Sequence, residues 1–236
     1  QLARAYADLI CTHLPEGPMA LAGFSMGGFL ALALTAELES RGREVLLTCA
    51  IDANPKWIDP KLDPADRLGP LMGEFITSIG AQGALHWHDG PPDRTAISGL
   101  IRKTTPLPEA DRVQAFLDWL PSVGRTDPRI APDQVRRIVA LNLRHIGLFE
   151  GATFAPLSAP IWVFTSMSDA EASGFWPSLV KAGSKGEALV KPVRQVFDSD
   201  HLGILKPPVV SEIATALDDV IRANPLEPGS RYAAMA

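Results

Sequence analysis

The sequence predicts an α/β protein on a mostly parallel, doubly wound sheet, and three observations carry that prediction. The apolar runs MALAGF (19–24), EVLLTCAID (44–52) and APIWVFTS (159–166) read as strands, the first short and continuously apolar as expected of a strand buried on both faces and the second fully apolar. Helical patterns alternate with these runs, which implies right-handed crossovers between parallel strands. The chain has 236 residues and is 46% hydrophobic, enough for one large domain or two small ones with a buried core.

Taken in order, Leu2, Tyr6, Leu9, Ile10 and Leu14 fit one face of a helix that Pro15, Gly17 and Pro18 end. The strand MALAGF follows. From Gly28 to Ser40, the residues Phe29, Leu30, Leu32, Ala33, Leu34 and Leu38 form a mostly apolar helix closed by Gly42, and EVLLTCAID is the next strand. Residues 1–55 are thus read as the first part of the core. Residues 56–157 break the rhythm. They are rich in Pro and Gly, with helical patterns such as EADRVQAFLDWL (109–120) and APDQVRRIVALNLRHIGLFE (131–150), and their length suits an inserted helical subdomain. The core resumes over 158–224, with a strand to Ser166, a helix FWPSLVKAG (175–183), a strand PVRQVF (192–197), the loop DSDHLG and a last helix, VVSEIATALDDVIRA (209–223). A mobile tail is expected over 225–236.

Charge excludes some function classes. The 22 basic and 27 acidic residues are scattered, for a net charge of -5, so no nucleic-acid or membrane surface is expected. No apolar run approaches the roughly 18 to 20 residues that span a bilayer, and the reading is of a soluble, cytoplasmic protein. Cys11 and Cys49 lie in a helix pattern and an apolar run, where they serve as small hydrophobes rather than a disulfide.

The chemistry is concentrated at GFSMGG. Gly23, Ser25 and Gly27 match G-x-S-x-G between a buried strand and an apolar helix, the context of a nucleophile elbow. Such a turn forces the serine to a positive φ and exposes its hydroxyl, and side chains at the neighbouring glycines are expected to collide with strand or helix. The helix that follows aims its positive end at Ser25, so the Met26 backbone N–H can serve as one oxyanion donor. A serine also needs a base and a group that orients it. Of five histidines, His201 alone follows a late sheet strand, at the carboxyl edge where Ser25 sits. His13 ends a helix, His145 lies in a helical pattern, and His86 and His88 lie in the turn LHWHDG, without a third ligand that would make them a metal site. For the acid, Asp52 and Asp169 both follow sheet strands, and spacing does not choose between them; Asp198 and Asp200 suit loop or capping roles.

The stretch GFSMGGFLALALTAELESRGREVLLTCAID resembles the thioesterase domains that end nonribosomal peptide synthetases and polyketide synthases, and DSDHLGILKPPVVSEIATAL resembles their ending. The resemblance covers both ends of the chain; the middle agrees only as a variable helical lid. It implies an α/β-hydrolase fold and favours Asp52 over Asp169 as the acid. It also implies that Ser25 receives an acyl or peptidyl chain from the phosphopantetheine of a carrier protein, and that water or an internal nucleophile then releases it. The domain itself would hold no cofactor. Such hydrolases carry several strands before the elbow, and a loop there supplies the second oxyanion amide. None precedes the elbow strand here, so those N-terminal strands are expected to be missing from the sequence, and the second donor has no named residue. Three other readings share the motif: a free-standing editing (type II) thioesterase, a small-molecule esterase or lipase, and a silent hydrolase-like binding module.

Overall fold

A computed structural model of the chain describes residues 1–59, 61–81, 83, 85–149, 152, 154, 157–167 and 193–223. The chain divides into two compact units, Gln1–Pro55 with Thr153–Ala236, and Lys56–Ala152. In chain order the elements are α1 (Leu2–His13), β1 (Met19–Phe24), α2 (Met26–Ser40), β2 (Val45–Ile51), α3 (Pro64–Ala81), β3 (Leu85–Trp87), α4 (Arg94–Thr104), α5 (Glu109–Val123), β4 (Gly124–Thr126), α6 (Pro132–Phe149), β5 (Ile161–Ser166), β6 (Val193–Phe197) and α7 (Val209–Ala223). The helix read over 175–183, Asp169 and the tail 225–236 lie outside the described residues.

The first unit is built on a parallel sheet in the order β1-β2-β5-β6. Register aligns the strand ends: Phe24 pairs with Ile51, Ile51 with Phe164, and Phe164 with Gln195. Whatever follows each strand therefore meets at one edge. Near the start of β2 the register slips, with Met19 opposite Val45 and Ala20 opposite Leu47, so that Leu46 is an extra residue. The slip turns Val45 to one face, against Ala7, Leu34 and Leu38, and Leu47 to the other, against Phe164 and Ile213. A strand covered on both faces has no polar side, which is why β2 is apolar apart from Thr48.

Two details differ from the sequence reading. Strand β1 was expected to be buried on both faces, yet Ala20 and Ala22 are exposed, because β1 is an outer strand that pairs with β2 alone among the described residues. The apolar face expected for α1 comprises Leu2, Tyr6, Leu9, Ile10 and Leu14; Ile10 packs inward as expected, whereas the other four are exposed and Ala7 and Cys11 take the inward positions. Polar tethers accompany this rotation. Arg41 donates to Asp8 at 2.7 Å, and Arg43 donates to the carbonyls of Leu14 at 2.7 Å and Gly17 at 3.0 Å.

The second unit is helical, with a small antiparallel pair β3-β4. Met72, Ile76, Ile97, Phe116, Leu120 and Val139 belong to its core. Helices α5 and α6 match the patterns noted over 109–120 and 131–150. Helices α3 and α4 were not foreseen, and residues 85–87, read as part of a turn, pair as β3. The sequence of α3 hides a helix behind glycines. Gly69 faces α4 closely, since a Cβ there would lie 3.1 Å from Ser98 Oγ, whereas one on Gly73 would make only ordinary contact with Ile97 Cδ1 at 3.4 Å. Among the described residues, no helix is long and apolar enough to cross a membrane.

Candidate active site

Ser25 forms the whole junction between β1 and α2. Its backbone has φ 56° and ψ -129°, a left-handed conformation that costs a non-glycine residue of order 1–3 kcal/mol. Neighbours hold it there: Ser25 N–H donates to Ile51 C=O at 2.8 Å, and Gly28 N–H donates to Ser25 C=O at 2.9 Å. The glycines divide unevenly between requirement and freedom. A Cβ on Gly23 would overlap the Gly27 carbonyl, and one on Gly28 would come within 2.7 Å of Ala53 Cβ and 3.2 Å of Ala50 Cβ. At Gly27 a Cβ would meet nothing within 4 Å. This corrects the expectation for the motif's second glycine: the crowded pair is Gly23 and Gly28, because Gly28 faces β2 whereas Gly27 does not. Met26 is the first residue of α2, and at that position its N–H has no intrahelical acceptor.

One residue beyond β2 stands Asp52, buried, with φ 47°. Its N–H donates to Phe164 C=O at 2.7 Å, which turns the carboxylate across the strand ends. Each oxygen takes two donors. Oδ1 accepts from Ser166 N–H at 2.6 Å and Thr165 Oγ1 at 3.3 Å, while Oδ2 accepts from Ser166 Oγ at 2.9 Å and His201 Nδ1 at 2.8 Å. With a carboxylate as acceptor, Nδ1 carries the proton, and Nε2 is the acceptor of the neutral ring. His201, in the loop after β6, is itself buried. Its imidazole lies against the Phe24 ring, with centroids 4.6 Å apart and planes at 29°.

Ser25, Asp52 and His201 thus emerge from the carboxyl edge of three strands, and Asp52 is the carboxylate bonded to the imidazole. The other candidates stand elsewhere. Asp200 accepts from Gly203 N–H, as a turn cap. His13 is exposed at the end of α1. His88 Nε2 lies 3.2 Å from the Pro121 carbonyl, His86 Nε2 lies 3.6 Å from Asp127, and His145 lies within α6. Among the described residues, no three of His, Cys, Asp and Glu gather as metal ligands would. Cys49 is no rival nucleophile, since burial pushes its thiol up to about 12.

Sequence reasoning missed Phe24, Thr165 and Ser166. Their signal was positional: Thr165 and Ser166 end β5 at the same edge as Asp52, and Phe24 precedes the serine.

Comparison with known proteins bears on the fold and on what the chain resembles. Residues 1–86 match the model of the family described as "Thioesterase domain". Among curated proteins, the atromentin synthetase of Tapinella panuoides is 30% identical over 90 residues, which is 37% of this chain and 9% of that protein. The dimodular nonribosomal peptide synthase of Bacillus subtilis (strain 168) is 28% identical over 102 residues, 43% of this chain and 4% of that one. The chain therefore matches only a small part of each of these relatives. Among solved structures, the RedJ thioesterase from the prodiginine biosynthetic pathway of Streptomyces coelicolor aligns with a TM-score of 0.54 at 16% identity, covering 93% of this chain and 67% of that one. At that identity the likeness is one of fold, and the fold is α/β-hydrolase. Through its fold, and through the sequence of its first 86 residues, the chain resembles the thioesterase domains of nonribosomal peptide and polyketide synthases.

Proposed function

We propose that the chain is a serine thioesterase that releases an acyl or peptidyl group from the phosphopantetheine thioester of a carrier protein, as the terminal domain of a peptide or polyketide synthase. The observation that carries this reading is the 2.8 Å bond from His201 Nδ1 to Asp52 at the strand edge that also bears Ser25. Asp52 holds the imidazole in the tautomer whose Nε2 takes the Ser25 proton. The Ser25 oxygen then adds to the thioester carbonyl, and the developing oxyanion lies at the start of α2, where Met26 N–H donates. When the C–S bond breaks, the thiolate takes the proton from His201 and leaves as the carrier's free thiol. An ester on Ser25 remains. Water or a nucleophile within the chain gives its proton to Nε2 and attacks that ester, which returns the proton to the Ser25 oxygen. The carrier protein is a partner by this reading, and the domain holds no cofactor of its own.

Intact mass spectrometry after incubation with an acyl-carrier thioester tests the reading. The expected result is one acyl group added, lost in Ser25→Ala, and about 10³- to 10⁴-fold slower loading in Asp52→Asn. Equal rates with a free ester of the same acyl group would favour a small-molecule esterase. No loading, together with no labelling by a fluorophosphonate, would leave the binding-module reading and overturn this one.

A further inference from the structure

We propose that Phe24, resting on the reading above, is a positioning residue for His201: its ring fixes the imidazole plane and favours the protonated form that follows removal of the Ser25 proton. The bond from Nδ1 to Asp52 fixes one edge of the imidazole. The stacked Phe24 ring, at 4.6 Å and 29°, lies on its face and holds its plane. An aromatic face carries negative charge, so it attracts an imidazolium more than a neutral imidazole. Placement makes the contact durable. Phe24 pairs with Ile51 in the sheet, which sets the stacking ring one residue before the nucleophile and directly across from the residue before the acid. The ring also packs against the cluster that includes Ile204 and Ile213, so it cannot swing off the imidazole without opening the core.

Among the described residues, these charged and polar groups lie near His201 in space or in sequence. Asp52 bonds its Nδ1, Ser166 reaches the same carboxylate as a neutral hydroxyl, and Asp198 and Asp200 flank the loop, with Asp200 turned to Gly203 N–H. A substitution at Phe24 leaves each of these groups in place, and the comparison of Leu with Tyr and pentafluorophenylalanine isolates the ring.

The test follows the His201 imidazole by NMR across pH in the wild-type chain, in Phe24→Leu and in Phe24→Tyr. Leu is expected to lower the His201 pKa by about half a unit, whereas Tyr, which keeps the ring, restores it. With an acyl thioester substrate, Phe24→Leu is expected to lower kcat about 3- to 10-fold at unchanged KM, and Tyr to recover it. Should Phe24→Leu fail to fold, pentafluorophenylalanine at position 24 keeps the shape and reverses the face charge; the same fall in pKa is then expected. Unchanged titration in a folded Leu or pentafluorophenylalanine variant would overturn the proposal. The NMR readout requires no substrate. A chain that hydrolyses no thioester yet shows the shift would refute the proposed reaction and leave this inference standing.

Discussion

Glycine placement around Ser25 makes the sharpest claim about single residues. Because a Cβ at position 28 would press on Ala53 at 2.7 Å while one at position 27 meets nothing, the two adjacent glycines should respond oppositely to alanine. Gly28→Ala is expected to cost about 1–3 kcal/mol by overpacking. Gly27→Ala should cost less than about 0.5 kcal/mol, since alanine suits a helix better than glycine. Urea unfolding of the two variants checks this, and equal losses would contradict the geometry. The motif was legible in the sequence as a spacing of glycines about a serine, but the spacing did not say which glycine is crowded. That depends on Ala50 and Ala53, which reach Gly28 only when β2 lies beside β1. For the same reason Asp52 and Asp169 stayed equivalent on residue spacing alone, because the bond to His201 spans 149 positions of chain.

At the scale of elements, α2 meets β2 through a buried pair of hydroxyls. Thr35 Oγ1 donates to Ala31 C=O at 2.9 Å, so at the 2.6 Å contact with Thr48 it is the acceptor and Thr48 the donor. Thr35→Val therefore leaves the Thr48 hydroxyl buried without an acceptor, at an expected cost of about 1–3 kcal/mol, and the double Thr35→Val, Thr48→Val chain should recover part of it. A double-mutant cycle by chemical denaturation measures the coupling; additive losses would show the hydroxyls to be independent. Most elements of the first unit were readable because their apolar runs and helical periods are long. The rotation of α1 was not, since the larger Leu2, Tyr6 and Leu9 are exposed while the smaller Ala7 and Cys11 pack inward beside Ile10. Helix α3 escaped notice because Gly69, Pro70 and Gly73 break its local helical pattern.

For the molecule as a whole, pH links stability to the core. The Cys49 thiol is held up to about 12, from an ordinary value of 9.0, by burial. Above about pH 9 the unfolded chain releases this proton while the folded chain keeps it, so stability falls as pH rises towards 12. Relative to Cys49→Ala, wild type should lose about 1 kcal/mol between pH 8 and pH 10, read from urea midpoints. A gap between the two proteins that stays constant over that range would show the thiol ionising equally in both states.

The order of the strands has a consequence in time. On the proposed reading, Ser25 and Asp52 are synthesised before the imidazole that would serve them, which follows Asp52 by 149 residues. The proposed nucleophile is then without its base until β6 docks beside β5, a parallel pairing of the slow, long-range kind. Reactivity, on that reading, waits for β6, and an unfinished chain is protected from acylation by its own topology.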